Sequence, residues 1–256
     1  MLKGYYKTKP ITLFVLLLFI LSSPIFSQET YINKGKFNIG FEGGIQFTGV
    51  NDTYMHVSEG GIGYNFGPLI EYYLNDFVKI KAGLQYDSRE FTLKDLLPIV
   101  DSSGYMGASS YYSSVENYKV NYLTIPLSIT YIKGTDNFKF YVQGTFYYSI
   151  LINSVQTGET FVYISESDAE HYNFVNYPEF NTPGYHYLNQ AEQKFNSSDI
   201  GINLFVGGIY YIKPNLGISL SPGFSYAFSN VWEDPLRTAT WSQLYKVTIG
   251  VVYSIK

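Results

Sequence analysis

The sequence contains no cysteine, and only 15% of its 256 residues are charged. The lack of cysteine excludes a disulfide framework and any metal site built on thiolates. Acidic residues outnumber basic ones by 21 to 17. That balance has the wrong sign for nucleic-acid binding, which depends on basic groups that displace counterions from phosphates. We therefore expect no nucleic-acid partner.

Beyond its first residues, the sequence also lacks any helical hydrophobic stripe of useful length. It is rich instead in aromatic side chains, which make up 19% of the chain and include 27 Tyr and 19 Phe. Tyrosine combines an apolar ring with a polar tip and is enriched at boundaries between water and apolar phases. This composition, without a competing helical pattern, predicts an all-β protein.

The N-terminal segment is typical of a secretory signal peptide. Lys3, Lys7 and Lys9 precede a short apolar run at 11–21, and small residues follow it. The run is shorter than the ~20 residues that a spanning helix needs, so a membrane anchor is the weaker alternative. We interpret residues 1–28 as a cleaved signal. Its removal changes the formal charge from −4 to −7, because three lysines leave with it.

Alternation of apolar and polar residues with period 2 marks eight strands after the signal. In the segment 120–132, for example, Leu123 and Ile125 alternate with Tyr122 and Thr124. The predicted strands lie at 37–50, 62–74, 77–90, 120–132, 138–153, 199–212, 216–228 and 243–256.

Short and long connections alternate between these strands. Tight turns rich in Gly, Asn, Asp and Pro follow Leu74, Lys133 and Ile212. In a ring of eight antiparallel strands, this order places all long connections at one end, as in outer-membrane barrels with short periplasmic turns and long extracellular loops. We therefore predict that residues 29–256 form an eight-stranded antiparallel up-and-down transmembrane β-barrel. The long polar connections are 51–61, 91–117, 154–197 and 229–242.

Each predicted strand has one apolar face and one face of small, polar and charged residues. Large aromatic residues near both ends of the apolar faces suit the interfaces of a bilayer, so we expect these faces to contact outer-membrane lipid. A soluble barrel with the apolar face inside is the alternative that periodicity leaves open. The polar face is predicted to line a lumen in which charged side chains pair, namely Glu42, Glu71, Lys79, Lys81, Asp87, Arg89, Asp199 and Lys246.

Pro126 lies in the middle of one predicted strand. Proline cannot donate a hydrogen bond to a ladder, and every strand of a closed barrel has two neighbours. We therefore expect Pro126 to lie at a bulge or at a point of strong bending. Pro68 and Pro222 raise the same question.

Three of these strands resemble those of a known family. "YLTIPLSITY" at 122–131 resembles the "YLxIPL" strand of PorT-like outer-membrane β-barrel proteins, and "YVQGTFYYSILIN" at 141–153 looks like the strand that follows it. "DIGINLFVGGIYY" at 199–211 is similar to their "DxGxxxGxG" strand. The resemblance implies an eight-stranded barrel in the bacterial outer membrane. Its most specific residues are Tyr122, Leu123, Ile125, Pro126 and Leu127.

The sequence offers little that suggests chemistry. Eight strands enclose an interior just filled by side chains, so we do not expect a diffusion pore. Histidine occurs only at positions 56, 171 and 186, and the pair His56 and Ser58 has no defined geometry. The acidic run at 165–174 lacks the glycine and the spacing of an EF-hand loop. We predict no enzymatic activity, no cofactor and no metal.

The connection 154–197 is the most informative region for function. Tyrosines on adaptable loops suit recognition, and the segment 160–165 has the pattern of a hairpin that extends the barrel wall. A cap that merely closes the lumen is an equal alternative. The candidate recognition residues are Phe161, Tyr163, Tyr172, Phe174, Tyr177, Tyr185 and Tyr187.

We therefore predict a monomeric barrel that anchors the loops 91–117 and 154–197 at the cell surface. These loops would bind an envelope protein or a glycan, or assemble into an envelope complex. Three other functions compete with this one. They are a component of a type IX secretion or gliding machinery, which the PorT-like resemblance suggests but fold analogy does not establish, a narrow channel, and a lipid-modifying enzyme.

Overall fold

The computed structural model describes residues 35–52, 57–100, 106–166, 184–187, 194–233, 239–241 and 244–255. The predicted signal at 1–28 lies outside these residues. No helix in this part of the chain is long and apolar enough to cross a membrane. The strands are β1 (Phe37–Thr48), β2 (Val50–Asp52), β3 (Val57–Tyr73), β4 (Val78–Gly83), β5 (Gln85–Val100), β6 (Met106–Gly134), β7 (Phe138–Ile164), β8 (Gly184–Tyr187), β9 (Ser198–Lys213), β10 (Leu216–Ala227), β11 (Ala239–Trp241) and β12 (Leu244–Ile255).

The strands form a closed antiparallel ring, which confirms the predicted fold. Around the ring the order is β1, β3, β4 with β5, β6, β7, β9, β10 and β12, and β12 pairs again with β1. β4 and β5 follow one another in the same place of the ring, because a single strand is interrupted there at Leu84. The third predicted strand, 77–90, is therefore two strands. β2 and β11 form a separate two-stranded sheet.

The two ends of the ring differ. At one end, which we call the turn end, the chain reverses through short turns at 74–77, 135–137 and 214–215. The side chain of Asn75 organises the first of these turns by accepting hydrogen bonds from the backbone N–H groups of Phe77 and Val78, both at 2.8 Å. The opposite end, which we call the loop end, carries the connections that the sequence predicts to be long.

The apolar face of every strand in the ring points outward. Ile62, Ile129 and Leu204 are 62, 66 and 58% exposed, whereas the polar residues between them on each strand are mostly buried. The soluble alternative, with the apolar face inside, is therefore wrong. An outward apolar face costs free energy in water but not in hydrocarbon, so this arrangement suits a bilayer.

Three strands, β5, β6 and β7, extend far beyond their predicted ends. β6 has 29 residues and β7 has 27, whereas a strand needs only about 9–11 residues to cross a bilayer. Most of the predicted loop 91–117 is therefore strand, and so is the beginning of the predicted loop 154–197. The segment 160–165 does extend the wall, because β7 pairs with β6 as far as Tyr163 and with β8 from Phe161 to Ile164.

Pro126 lies beside an interruption in the neighbouring strand. It pairs with Tyr147 of β7 on one side, and on the other side it faces the break between β4 and β5. A Cβ atom on Gly83 would lie 3.0 Å from the backbone oxygen of Pro68, so glycine suits the close approach of β3 and β4, whereas its 3.4 Å distance from the Pro126 ring would be an ordinary contact. The expected bulge at Pro126 is wrong, since the register shift between β6 and β7 occurs at Asn121 and Tyr122.

The other two prolines also lie beside an interruption in a neighbouring ladder. Pro68 pairs with β1, while its ladder with the neighbouring strand is interrupted at the same break. Pro222 pairs with β12, while the ladder between β10 and β9 skips from Leu220 to Gly223. Each proline thus lies where one ladder already lacks a pair, so its missing N–H costs less.

Candidate functional site

Arg89 of β5 lies in the lumen and is completely buried. Its guanidinium donates to Asp87 of the same strand at 3.0 Å and to Asp199 of β9 at 2.6 Å. Because β5 and β9 are three places apart in the ring of eight, the second contact crosses the lumen. Burial of a charge requires such pairing, and Arg89 has two carboxylate partners.

Two tyrosine rings flank this guanidinium. Its Cζ atom lies 4.8 Å from the ring centroid of Tyr122 and 5.7 Å from that of Tyr147, within the range of cation–π interactions. Tyr147 also donates its hydroxyl to Asp199 at 3.1 Å, and Ser229 donates to the other oxygen of the same carboxylate. Charge, hydrogen bonds and ring contacts therefore fix Arg89 in one position.

Asp87 connects this group to two further strands. Gln46 of β1 donates from Nε2 both to Asp87 and to the backbone oxygen of Ser88. Lys246 of β12 lies 3.8 Å from Asp87. The network therefore joins β1, β5, β7, β9 and β12 across the lumen.

Two more ion pairs are formed by residues of β1, β3 and β4. Lys79 contacts Glu71 at 2.6 Å, and Lys81 contacts Glu42 at 2.8 Å. Asn38 completes the first pair by donating to Glu71 at 3.0 Å. All of these side chains point into the lumen.

The structure thus places all eight predicted lumen residues inside the ring. They comprise four carboxylates and four cations, so their formal charges cancel. Hydroxyl pairs also join neighbouring strands on the lumenal face, such as Thr124 with Ser149 at 2.7 Å and Ser128 with Thr145 at 2.9 Å. A charge-balanced, hydrogen-bonded interior of this kind can hold the wall together, and its charged groups are engaged with one another.

Four aromatic side chains close the lumen toward the loop end. Phe91, Tyr118, Phe195 and Trp232 are 1, 2, 6 and 1% exposed, and we call them the aromatic plug. Phe195 and Trp232 have ring centroids 4.8 Å apart, and Phe91 meets Trp232 edge-on at 6.2 Å. Edge-to-face and tilted contacts at these distances are favourable between aromatic rings.

Above the plug, β5, β6 and β7 continue as a sheet that we call the extension. Glu116 of β6 is only 6% exposed there. Its carboxylate accepts hydrogen bonds from Gln156 at 3.0 Å, from Thr160 at 3.2 Å and from the hydroxyl of Tyr118. None of the described residues gives Glu116 a cationic partner within ion-pair distance, in contrast to the carboxylates of the lumen.

The predicted recognition residues lie partly on the extension. Phe161 and Tyr163 are half-buried side chains at the far end of β7, where the ring of Tyr163 lies 5.2 Å from that of Tyr111 on β6. Tyr185 and Tyr187 belong to β8, whose backbone pairs with β7. Tyr172, Phe174 and Tyr177 lie outside the described residues.

The residues that carry the PorT-like resemblance divide between the two faces of β6. Ile125 and Leu127 point outward and are 40 and 55% exposed. Tyr122 and Pro126 are buried in the lumen, where Tyr122 contacts Arg89, and Leu123 is half-buried. The motif therefore combines bilayer-facing residues with one residue of the central network.

Residues 26–233 match the family model described as "Outer membrane protein beta-barrel domain". The chain belongs to this family. Together with the closed ring and its outward apolar face, membership places the protein in the bacterial outer membrane. No curated protein matches the sequence.

Several solved structures are similar to the chain. OprG from Pseudomonas aeruginosa is 10% identical, with 87% of this chain and 98% of that one covered and a TM-score of 0.45. Ail, the attachment invasion locus protein of Yersinia pestis, is 11% identical, with 87 and 99% covered and a TM-score of 0.35. The outer membrane protease OmpT from Escherichia coli is 8% identical, with 89 and 99% covered and a TM-score of 0.39. Such low identities and scores transfer no activity to this chain.

Sequence reasoning missed several residues of the site. The alternation places Gln46 and Tyr147 on the polar faces of their strands, which is a usable signal, but it does not indicate that they join the network. Trp232 and Phe195 lie in predicted connections, and only the fold brings them together. The sequence does not single out Glu116, because the pattern of its segment predicts a loop.

Proposed function

We propose that the protein is a non-enzymatic outer-membrane barrel that holds a strand-built binding surface outside the cell. The observation that carries this proposal is the extension, in which β6 and β7 pair from the turn end as far as Tyr111 and Tyr163, with one register shift on the way. Outer-membrane barrels carry short turns on the periplasmic side and longer segments outside. The turn end therefore faces the periplasm, and the extension faces the exterior.

The closed lumen supports a binding function over transport. The Arg89 network and the aromatic plug occupy the inside of the ring at two successive levels. A solute crossing the lumen would have to break buried ion pairs, each of which would leave an uncompensated charge. The charged groups of the described lumen are engaged with one another, so the lumen offers no hydrolytic centre of its own.

The extension has the properties of a recognition surface. It is a paired sheet, so its side chains are held in place before a partner arrives, which lowers the entropic cost of binding. Its far end carries Tyr111, Tyr112, Phe161 and Tyr163, all half-buried. Tyrosine is enriched in protein interfaces and paratopes because it offers a large contact area with few rotatable bonds. We propose an envelope protein or a surface glycan as the partner and a monomeric barrel.

Photocrosslinking in living cells tests this proposal. A photoreactive amino acid is placed at Phe161 or Tyr163 on the extension. As matched controls it is placed at Phe146 or Tyr148 of the same strand, which face lipid and are 50 and 41% exposed. We expect a discrete crosslinked protein or glycan from the extension and only lipid adducts from the controls. Identical products from both sets, or ion conductance in planar bilayers, would contradict the proposal.

The PorT-like relationship is a second, narrower proposal. It depends on the motif at 122–127, in which Tyr122 contributes to the central network. If the barrel serves in a secretion or gliding machinery, mild solubilisation should recover it in a stable complex with other envelope proteins. Recovery as a single barrel would favour the free-standing binding surface. N-terminal sequencing of the recovered protein would test the proposed cleavage after residue 28.

A further inference from the structure

The turn end of the ring holds a cavity of about 300 Å³, which we call the vestibule. Its walls come from the beginning of β1, the end of β3, the turns between β6 and β7 and between β9 and β10, and the end of β12. Ligand pockets commonly range from about 300 to 1,000 Å³. The vestibule is therefore large enough for a small group of atoms and too small for a folded partner.

The vestibule is positively charged. The described residues that line it include Lys36, Lys139, Lys213 and a single carboxylate, Asp136, and the carboxylate of Asp76 also attracts Lys139, so the cations exceed the anions by one. Neither Lys139 nor Lys213 makes an ion pair with a described residue. The lumen above differs, because each of its four cations lies near a carboxylate.

The floor of the vestibule carries hydroxyl groups. The hydroxyls of Tyr73 and Tyr211 lie 3.4 Å apart, and the ammonium of Lys139 lies 5.4 Å from the centroid of the Tyr211 ring. When one tyrosine donates to the other, the second keeps its proton available for an incoming acceptor. Two ammonium groups and one hydroxyl can therefore donate to the same ligand.

The vestibule is closed toward the rest of the lumen. Tyr73 packs with Ile132, Tyr141 and Ile209 in a buried cluster beneath the cavity. The ammonium of Lys79, paired with Glu71, lies 5.8 Å from the ring centroids of both Tyr73 and Tyr141. A ligand can therefore enter only from the turn end, which faces the periplasm.

The geometry points to a binding site for a soluble phosphate group, as inorganic phosphate or a phosphate monoester, in the vestibule. Lysine binds phosphate as a point charge, and a phosphate monoester offers three strong acceptor oxygens, one for each of the three donors of the cavity. A carboxylate or a phospholipid diester offers only two charged oxygens to these donors. The lining lysines belong to the lumenal side of their strands, so a soluble phosphate reaches them more readily than a headgroup in the surrounding leaflet.

Calorimetric titration of the purified barrel in detergent micelles with sodium phosphate, at constant ionic strength, tests this inference. The test variant is Lys139→Gln with Lys213→Gln. The matched control is Lys133→Gln, because Lys133 lies at the same rim and pairs with Phe140, which points outward. We expect saturable binding by the wild type and the control, and affinity at least about tenfold lower for the double variant. Absent binding, or equal affinities in all three proteins, would overturn the site.

Two further measurements make the result decisive. Heat-dependent mobility on gels verifies that each variant is folded, and if the double variant does not fold, Lys213→Gln alone should weaken binding several-fold. The titration is then repeated in nanodiscs of phosphatidylcholine and of phosphatidylglycerol. Equal phosphate affinity in both lipids supports a soluble ligand. Loss of phosphate binding only in phosphatidylglycerol would identify the lipid headgroup as the occupant and overturn the soluble phosphate.

Discussion

β5, β6 and β7 run through two regions of the molecule, the lumen and the extension, in which buried carboxylates have different partners. In the lumen, Asp87 and Asp199 are neutralised by Arg89 at hydrogen-bonding distance. In the extension, Glu116 is equally inaccessible but accepts only from neutral groups of the described residues. The lumen is surrounded by hydrocarbon, where an unpaired charge is most costly, whereas the extension stands in water, which lowers that cost.

This difference shows how one strand can serve two purposes. Within the bilayer, its inward side chains close the lumen and tie opposite walls together. Beyond the bilayer, the same alternation continues, but its inward side chains only have to keep the sheet flat and in register. The lumen should therefore depend on its charges far more than the extension does, and the following substitutions test that ranking.

The largest effect is expected for Arg89→Met. This substitution leaves Asp87 and Asp199 buried with their central cation removed, which should lower the free energy of unfolding by roughly 3–5 kcal/mol. Urea unfolding in detergent, followed by heat-dependent gel mobility, measures the change. Lys119→Met provides the control, since Lys119 pairs with Glu90 at an exposed position on the neighbouring strand. Similar losses for both variants would refute the ranking.

An intermediate effect is expected for Glu116→Gln. The amide keeps one acceptor oxygen but turns a donor toward groups that themselves donate, so we expect a loss of about 1–2 kcal/mol. The loss should appear as faster hydrogen exchange in the extension, while exchange in the transmembrane part stays unchanged. Glu90→Gln, on the exposed face, serves as the control. Faster exchange throughout the barrel would show that the two regions are not independent.

The smallest effect is expected for Lys94→Gln. Lys94 and Glu59 form an ion pair at 2.8 Å, but their side chains are 43 and 53% exposed. Such surface pairs contribute less than about 1 kcal/mol and are screened by salt. The variant should unfold at nearly the same urea concentration as the wild type, and any difference should vanish in high salt. A larger loss that persists in high salt would mean that the extension depends on surface charge.

Most of the barrel could be predicted from the sequence because a bilayer imposes strict alternation of apolar and polar residues along each strand. Wherever one face meets lipid, residues such as Ile125 and Leu127 reveal the strand by their spacing. The extension has water on its outer face, so its residues from 106 to 119 are largely small and polar and the hydrophobic period disappears. Backbone pairing continues there without the hydrophobic period, which is why the sequence pattern predicts a loop at 91–117.

The charged residues of the lumen were also predictable in type, since they alternate with the outward face. Their pairing was not, because Arg89 meets Asp199 only after the ring closes across 110 positions of sequence. The vestibule was missed for the same reason. Lys36, Lys139 and Lys213 stand at the ends of different strands, and nothing local connects them.

The three prolines have a mechanical consequence. Pro68 and Pro126 flank the break between β4 and β5, and Pro222 flanks the gap between β9 and β10 on the opposite side of the ring. We expect the wall to be most compliant at these two points. A tube with two opposed compliant points flattens into an oval more readily than it shrinks evenly, so lateral pressure from the bilayer should change the shape of the cross-section before it changes the height of the barrel.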